Sequence, residues 1–412
     1  MSKVLPVLRP ELDIMPSPDE SKPGLLIRDP FQYSDSILII PPGLVRALPF
    51  FDGERGRDDL LAQLKEDLGE HGTAELADRV YSTLDDAGFL RSDTYLEMRE
   101  EKHRQFAEAT ERKASHAGGS YPADAGELRA KLDDYGAPAA SGGQDGDLLG
   151  IAAPHVSPDG GYASYASAYR RLKAEHASKT FIILGTSHYG EAETFGLTRK
   201  SYQTPLGAVE TDTGLVDRLA AAAPDSVAME DYCHATEHSI EFQTVFLQHV
   251  LGGALPEGER VRAVPILCGA LVESLITGKA PETNEKVRRF YEALGELADE
   301  RDDLVWVLGI DMAHVGRRYG DAFEARAGEG VMNDVESQDR ARLERVMAGD
   351  AEGFFELVKP NHDELRWCGY SPVYTFLKTA GAFAGETLNY EQWNIDEQSA
   401  VTFIGGEFRR AG

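Results

Sequence analysis

Four short polar turns carry the side chains of this chain that are best suited to bind a metal or to take part in catalysis. They are the turns with His155 after residues 148–153, His188 after 181–184, Asp311 and His314 after 304–310, and Cys368 before a helical pattern. In open α/β sheets, residues at the carboxyl ends of several strands converge on one crevice although they are far apart in sequence. Imidazole, thiol and carboxylate groups together predict a metal site at that crevice.

The elements that would position these turns alternate along residues 113–412. Nearly continuous apolar runs predict strands that are buried on both faces, at 148–153, 181–184, 261–267, 304–310 and 400–404. Apolar residues at helical spacing predict helices at 162–174, 213–222, 238–250, 284–298, 334–347 and 372–379. The alternation predicts an α/β sandwich around a mostly buried sheet.

The first part of the chain has a different pattern, which predicts a separate domain at residues 25–93. Two short strands and three helical segments there favour a small α+β, winged-helix-like module. Residues 1–24 are rich in proline and are expected to form a flexible arm. Residues 94–112 are dense in Glu, Arg and Lys and predict a linker helix, and residues 141–146 predict a surface loop.

Composition excludes several function classes. The 70 acidic and 42 basic residues give a formal charge of −28, which would repel nucleic acid phosphates and anionic membranes. We therefore expect no nucleic acid partner, and the chain has no apolar run long enough to span a bilayer. The three cysteines lack a C-x-x-C pair and the first residues are too polar for a signal peptide, so a cytoplasmic location is expected.

Eight ordered motifs between Arg112 and Phe408 resemble those of the Memo family. They include Ala153-Pro-His155, Ile183-Leu-Gly-Thr-Ser-His188, Glu237-His-Ser-Ile-Glu241, Asp311-Met-Ala-His314 and Cys368-Gly-Tyr-Ser-Pro372. That family resembles class III extradiol ring-cleaving dioxygenases, which hold a non-haem ferrous ion. The resemblance therefore implies a metal-binding α/β/α domain over residues 113–412.

Carried onto this sequence, the resemblance implies metal ligands at His155, His188 and Cys368. It places a pocket acid at Asp311 and a third histidine at His314, which could donate or accept a proton. These two residues, with His238 at the start of a helix and lining the pocket, are the candidate catalytic residues. Imidazole and thiolate donors favour Fe(II), with Cu or Zn as alternatives, over Mg or Ca. The expected substrate is a small molecule or a peptide.

Two departures from the family pattern indicate an altered pocket. The turn after His155 is longer than usual, and Tyr189 follows His188 where many relatives have a second histidine.

Some nearby residues have simpler explanations. Glu237 can cap a helix, because a carboxylate is stabilised at a helix N-terminus. His116 can brace the first turn of the domain. Cys233 and Cys268 are expected to be buried, and His234 and His249 to lie at the surface.

The N-terminal module resembles leader-peptide recognition elements of peptide-modification systems. The similarity lies in Ile27-Arg-Asp-Pro30, Phe51-Asp-Gly53 and Leu84-Asp-Asp-Ala-Gly-Phe-Leu90. Such modules add an extended peptide to a sheet edge, whereas the alternative is a cap that only packs on the main domain. Two functions stay open: a redox or oxygen-dependent metalloenzyme, and a non-catalytic metal- or peptide-binding partner of a radical-SAM protein in an AmmeMemoRadiSam-type system.

Overall fold

A computed structural model describes residues 4–140 and 147–411 of the chain. It divides into two units, Met1–Glu108 and Ala109–Gly412. The loop expected at 141–146 lies outside the described residues. Within the described ranges, no helix is both long enough and apolar enough to cross a membrane.

Unit 1 contains a small antiparallel sheet and three helices. The strands are β1 (Asp13–Pro16), β2 (Leu25–Arg28) and β3 (Ile37–Ile40), in the order β1-β2-β3. A 3-10 helix, Pro42–Phe50, is followed by α1 (Arg57–Leu68), α2 (Ala74–Asp86) and α3 (Asp93–Glu108). Leu60, Leu64 and Leu84 form part of its core. The expected linker helix is α3, which ends four residues before the predicted boundary at 112.

The structure differs from the flexible arm expected at residues 1–24. Leu5 and Leu12 are buried in the core of unit 1. Arg9 donates to the carboxylate of Asp29 at 2.9 Å, and both side chains are almost fully buried. The guanidinium carbon of Arg9 also lies 4.2 Å from the ring centre of Tyr95. Buried apolar contacts and a buried ion pair therefore anchor this segment.

Unit 2 is built on one large mixed sheet. Its strands are β4 (Glu111–Arg112), β5 (Leu148–Ala153), β6 (Thr180–Thr186), β7 (Phe195–Leu197), β8 (Ser201–Thr204), β9 (Gly207–Thr211), β10 (Val227–Met229), β11 (Arg262–Cys268), β12 (Leu304–Gly309), β13 (His314–Gly316), β14 (Phe383–Asp396) and β15 (Ser399–Arg410). The main order is β13-β15-β5-β12-β6-β11-β9-β8-β4. Strands β5, β12, β6 and β11 are mutually parallel, whereas β15 runs antiparallel to β5.

Helices cover both faces of this sheet. They are α4 (Ala125–Asp134), α5 (Pro158–Tyr169), α6 (Thr213–Ala222), α7 (Cys233–Thr236), α8 (His238–Leu251), α9 (Val272–Thr277), α10 (Glu285–Asp299), α11 (Val331–Met347), α12 (Ala351–Val358) and α13 (Tyr370–Thr379). Along β6, Ile182 and Leu184 join one hydrophobic cluster while Phe181 and Ile183 join the other. Strands buried on both sides explain the continuous apolar runs in the sequence.

The predicted α/β fold is confirmed as a mixed α/β architecture. The five predicted strands are all present, but the one predicted at 400–404 extends over Ser399–Arg410. Its long partner β14 was not predicted, because its residues are mostly polar and half-buried and give no apolar run.

Candidate metal centre

Three adjacent parallel strands position the centre of the candidate site. The carboxyl end of β5 leads to His155, that of β6 to His188, and that of β12 to Asp311. Cys368 comes from the turn before α13. The turn is fixed there because Thr186 donates to the Cys368 carbonyl at 2.9 Å and the Gly369 amide donates to the Asp311 carbonyl at 2.9 Å.

His155 is held in its neutral form. Its Nδ1 lies 2.9 Å from the Gly309 carbonyl oxygen, which can only accept, so Nδ1 carries the proton and Nε2 keeps its lone pair. That lone pair faces the Cys368 Sγ at 3.2 Å and the Asp311 Oδ2 at 3.5 Å. Burial lowers the pKa of His155 well below its usual value. The neutral form is the one that binds metals.

A shared carboxylate orients two further imidazoles. Glu237 Oε1 lies 3.0 Å from Nδ1 of His188 and 3.2 Å from Nδ1 of His238. Burial opposes the charge on Glu237, but the two histidines outweigh it and lower the pKa of this carboxyl well below its usual range. Burial likewise opposes charging of His188, but Glu237 raises the pKa of that imidazole. A histidine whose outer nitrogen bonds a carboxylate is a common arrangement at metal sites.

The possible ligand atoms form two overlapping groups that share His155. One group joins His155, His188 and His238, and the other joins His155, Asp311 and Cys368. Within each group the ligand atoms lie within 4.8 Å of one another. His155 thus belongs to both groups, whereas His188 and Cys368, which were predicted to bind the same ion, fall in different ones. His238 is the third imidazole of the first group.

Asp311 and Cys368 are both shifted toward their protonated forms. Burial raises the pKa of the Asp311 carboxyl, although its Oδ1 accepts the amides of His155 at 2.9 Å and Val156 at 3.2 Å. Burial also raises the pKa of the Cys368 thiol well above its usual value. The protonated thiol donates to the bare His155 Nε2. A metal at this place would have to displace that proton.

His314 faces the same cleft. Its Nδ1 lies 2.9 Å from the Met312 carbonyl oxygen, so the proton sits on Nδ1 and Nε2 is bare. Burial lowers the pKa of His314 to about 4. The imidazole is therefore a neutral hydrogen-bond acceptor at physiological pH.

His116 also lines the cleft while it braces the domain's first turn. Its Nε2 lies 2.8 Å from the Thr236 carbonyl oxygen, and its backbone amide donates to Glu241 at 3.0 Å. Glu241 is fully buried and also pairs with Arg112. His116 therefore braces the first turn of the domain, as expected, and also lines the cleft.

The cleft has a volume of about 530 Å³. Its walls combine five histidines with aromatic and hydroxyl side chains, including Ser120, Ser157, Phe242, Tyr319 and Trp393. Each of the five imidazoles has one ring nitrogen against a carbonyl or carboxylate, and in the neutral ring the other nitrogen is an acceptor. The cleft is therefore rich in lone pairs, which suit a cation or hydrogen-bond donors of a substrate.

Sequence reasoning found only part of the role of Glu237. The predicted capping is present, because its carboxylate accepts the amides of His238 at 2.9 Å and Ser239 at 3.1 Å. It also accepts the His188 amide at 2.9 Å. In the sequence, only its position next to His238 could have indicated that Glu237 orients a histidine. Its contact with His188 depends on the tertiary fold.

Two other histidines differ from the expected surface location. His234 is fully buried, with Nδ1 2.7 Å from the Tyr202 hydroxyl and Nε2 3.0 Å from the Gly196 carbonyl. The side chain of His249 is 5 % exposed and pairs with Asp133. Polar partners from distant segments allow the His234 ring to be buried. Cys233 and Cys268 are buried as predicted.

Comparison with known proteins identifies the family. A family model described as Memo-like protein matches residues 112–406. The chain belongs to the Memo-like family. It is 26% identical over 400 residues to a MEMO1 family protein of Aquifex aeolicus, a match that covers 96% of this chain and 98% of the relative. A MEMO1 family protein of Pyrococcus furiosus is 32% identical over 288 residues, which cover 68% of this chain and 91% of the relative.

The match to the Aquifex relative extends over nearly the whole chain, whereas the family model begins at residue 112. Members of the Memo-like family therefore include a protein of similar length to this one.

Proposed function

We propose that this Memo-like protein is a metal-dependent redox or oxygen-dependent enzyme. In this proposal His155, His188 and Cys368 hold the metal, with Fe(II) as the first candidate and Cu or Zn as alternatives. The observation that carries the proposal is the convergence of bare imidazole nitrogens and one thiol at the carboxyl ends of adjacent strands. A small molecule or a peptide segment is the expected substrate.

The donor set fits such a metal. Neutral imidazoles and a thiolate are ligands for borderline or soft cations, while Mg and Ca prefer oxygen donors. The His155 Nε2 and the Cys368 Sγ already lie 3.2 Å apart, so a small shift of side chains would place a cation between them. When bound, a redox-active ion with three protein ligands would offer an open position for substrate or oxygen.

The surrounding residues orient the ligands and handle protons. Glu237 fixes the ring of His188, and Asp311 fixes the turn that carries His155 through two backbone amides. His314 is neutral and has a bare Nε2, so it can accept a proton from a substrate bound in the cleft. His238 shares Glu237 with His188 and can accept a hydrogen bond from the same substrate.

We further propose a reaction related to that of extradiol dioxygenases. The proposal rests on the motif resemblance and on the position of the cluster at the strand ends. Extradiol enzymes use a carboxylate as third ligand, so a Cys368 ligand would give the metal here a softer donor and a different redox potential.

Metal content tests this proposal directly. The chain should be purified without oxygen and analysed by elemental mass spectrometry, alongside His155→Ala, His188→Ala and Cys368→Ser. We expect about one iron or copper per chain in the wild type and loss of metal in the three variants. His71→Ala, which changes an exposed histidine of unit 1, is the control. A wild type that takes up no metal after anaerobic reloading would contradict the proposal.

We propose a second candidate function for unit 1, the binding of an extended peptide. Strand β3 lies at the edge of its sheet, and Ile37 is 64 % exposed. An apolar groove of about 150 Å³ runs between β3 and α2, with Leu38, Ile40, Leu44 and Leu76 in its walls. An edge strand beside an apolar groove can pair with a peptide backbone and receive alternate side chains.

In this second function the chain would bring a peptide to a radical-SAM partner or to its own metal centre. A display library of extended apolar peptides, screened on the full chain, tests it. Leu76→Glu should abolish binding because it places a charge in the groove, whereas Cys368→Ser should leave binding unchanged. Equal binding by wild type and Leu76→Glu would contradict peptide binding at this groove.

A further inference from the structure

The cleft beside the candidate metal residues carries a guanidinium group in its wall. Arg318 is exposed and lines this cleft, whereas His155 and Asp311 of the same lining are almost fully buried. Arg318 therefore lies at the outer end of the cleft, and the candidate metal residues lie at its inner end. We propose that the cleft takes a substrate with a carboxylate group, which Arg318 binds at the outer end. The inference rests on the proposed function, because it names the substrate class of the same site.

Strand β15 fixes the backbone that carries Arg318. The Arg318 amide donates to the Ser399 hydroxyl at 3.0 Å, and the Arg317 amide donates to the Gln398 carbonyl at 3.2 Å. Gly316, which precedes them, has a φ of 109°, and a Cβ at this position would collide with the same carbonyl oxygen. The side chain of Arg318 therefore starts from a fixed point on the cleft wall.

The guanidinium group of Arg318 is available to a ligand. Its side chain makes no hydrogen bond or ion pair with residues 4–140 or 147–411. Arg366, by contrast, pairs with Asp321 and donates to the His314 carbonyl at 3.0 Å, so the carboxylate of Asp321 is already engaged. A planar guanidinium can bind a carboxylate through two parallel hydrogen bonds. Arg318 is therefore suited to hold the carboxylate of a substrate.

The inner end of the cleft suits hydrogen-bond donors rather than a second anion. The carboxyl group of Asp311 lies in the lining, and Glu237 bonds two imidazoles of the lining from behind. His314 presents a bare Nε2, which can accept a hydrogen bond from a hydroxyl group. A bound substrate would therefore have its carboxylate outward, at Arg318, and a hydroxyl group inward.

The charge of the cleft favours a single negative charge on the substrate. Among the described residues that line the cleft, Arg318 is the only Lys or Arg side chain. A phosphate dianion would keep one charge without a partner, whereas one carboxylate is matched by one guanidinium. Half-buried Tyr319, Trp393 and Ile395 are in the same lining and offer apolar surface to the body of the substrate. The expected substrate class is therefore a hydroxylated monocarboxylate.

Two probes of similar shape, 4-hydroxybenzoate and 4-hydroxybenzamide, test the role of the charge. Their binding to the full chain is measured by ligand-observed NMR titration at low salt, on the protein as purified and again after a chelator has removed any metal. We expect the wild type to bind the acid at least about threefold more tightly than the amide in both forms, as for a partly exposed ion pair. Equal affinity of the wild type for the two probes would overturn the inference.

Variants of two neighbouring arginines make the test specific. Arg318→Gln should bind the two probes about equally, and Arg318→Lys should keep part of the preference because it retains the charge but not the planar group. Arg317→Gln, which changes an exposed arginine outside the lining, is the matched control and should keep the full preference. The same preference in Arg318→Gln and Arg317→Gln would refute the role of Arg318.

The outcome also separates this inference from the proposed function. A wild type that holds no metal but keeps the preference for the acid would contradict the metalloenzyme and support anion binding by Arg318. A chain that holds metal but shows no preference would overturn the inference and leave the metal centre in place.

Discussion

The carboxylate of Glu237 joins His188 and His238, with Oε1 3.0 Å from one Nδ1 and 3.2 Å from the other. The same carboxylate is buried and accepts three backbone amides, so its position is fixed by the start of α8 and by the turn after β6. Because Nδ1 of each ring bonds to Glu237, the opposite ring nitrogen is directed away from it. The orientation of both rings therefore depends on one residue.

Glu237→Gln should weaken metal binding while leaving the fold intact. The glutamine oxygen can still accept from one side, but its NH2 group replaces the second acceptor, and the charge that fixes the His188 proton on Nδ1 is lost. Removing such an outer partner typically costs about 10–100-fold in metal affinity. Competition with a chelator measures the effect, and Glu97→Gln at an exposed site of α3 is the control. An unchanged affinity would show that Glu237 acts only as a helix cap.

His238→Ala separates the two overlapping ligand groups. If His155, His188 and Cys368 hold the metal, His238→Ala should keep about one metal per chain and Cys368→Ser should lose it. A site made of three imidazoles, which the structure also brings together, would give the reverse pattern. Elemental analysis of the two variants, purified in parallel, distinguishes these sites.

The buried Asp339 of α11 should make stability depend on pH. Its carboxylate accepts from Trp367, Tyr390 and Thr402, yet burial raises its pKa from 3.8 to about 6. Between these values the folded chain binds more protons than the unfolded chain, so the free energy of unfolding falls as pH rises from about 4 to 6. A shift of two pKa units corresponds to about 3 kcal/mol.

Asp339→Asn removes this titration. Relative to the wild type, the variant should gain stability progressively as pH rises through that window, by up to about 3 kcal/mol. Urea unfolding at several pH values measures the difference. Asp334→Asn, at an exposed position of the same helix, should show no such trend. A constant difference between wild type and Asp339→Asn would contradict the predicted linkage.

The buried ion pair of unit 1 gives a prediction about stability. Arg9→Met should destabilise unit 1 by about 3–5 kcal/mol, because it leaves Asp29 charged and buried without its partner. Arg28→Met is the matched control, since its pair with Asp13 is largely exposed and should contribute less than about 1 kcal/mol. Hydrogen exchange of the amides of α2 measures both effects. Similar losses in the two variants would argue against the special importance of Arg9.

The sequence predicted the centre of the sheet and the turns at its edge. Strands such as β6 are buried on both faces, so a continuous apolar run identifies them in the sequence. The polar residues that follow these strands could then be assigned to the site. The convergence of His155, His188 and Asp311 followed from the geometry of parallel sheets. The closeness of His238 was only partly expected, because it depends on how α8 enters the sheet face.

Features that depend on distant partners could not be predicted. The burial of His234 requires the Tyr202 hydroxyl and the Gly196 carbonyl, which come from other segments. The anchoring of residues 5–16 requires Asp29 and Tyr95. Strand β14 has mostly polar, half-buried residues and is held by its pairing with β15, so no continuous apolar run marks it in the sequence.

The order of strands in the large sheet has a consequence for biosynthesis. Strand β5, which leads to His155, pairs on one side with β12 and on the other with β15, the last strand of the described chain to be made. During translation, one edge of β5 therefore stays unpaired until residues 399–410 have left the ribosome. An exposed strand edge invites pairing with other chains. Until β15 forms, that edge of β5 is therefore a place where a nascent chain could pair with another copy.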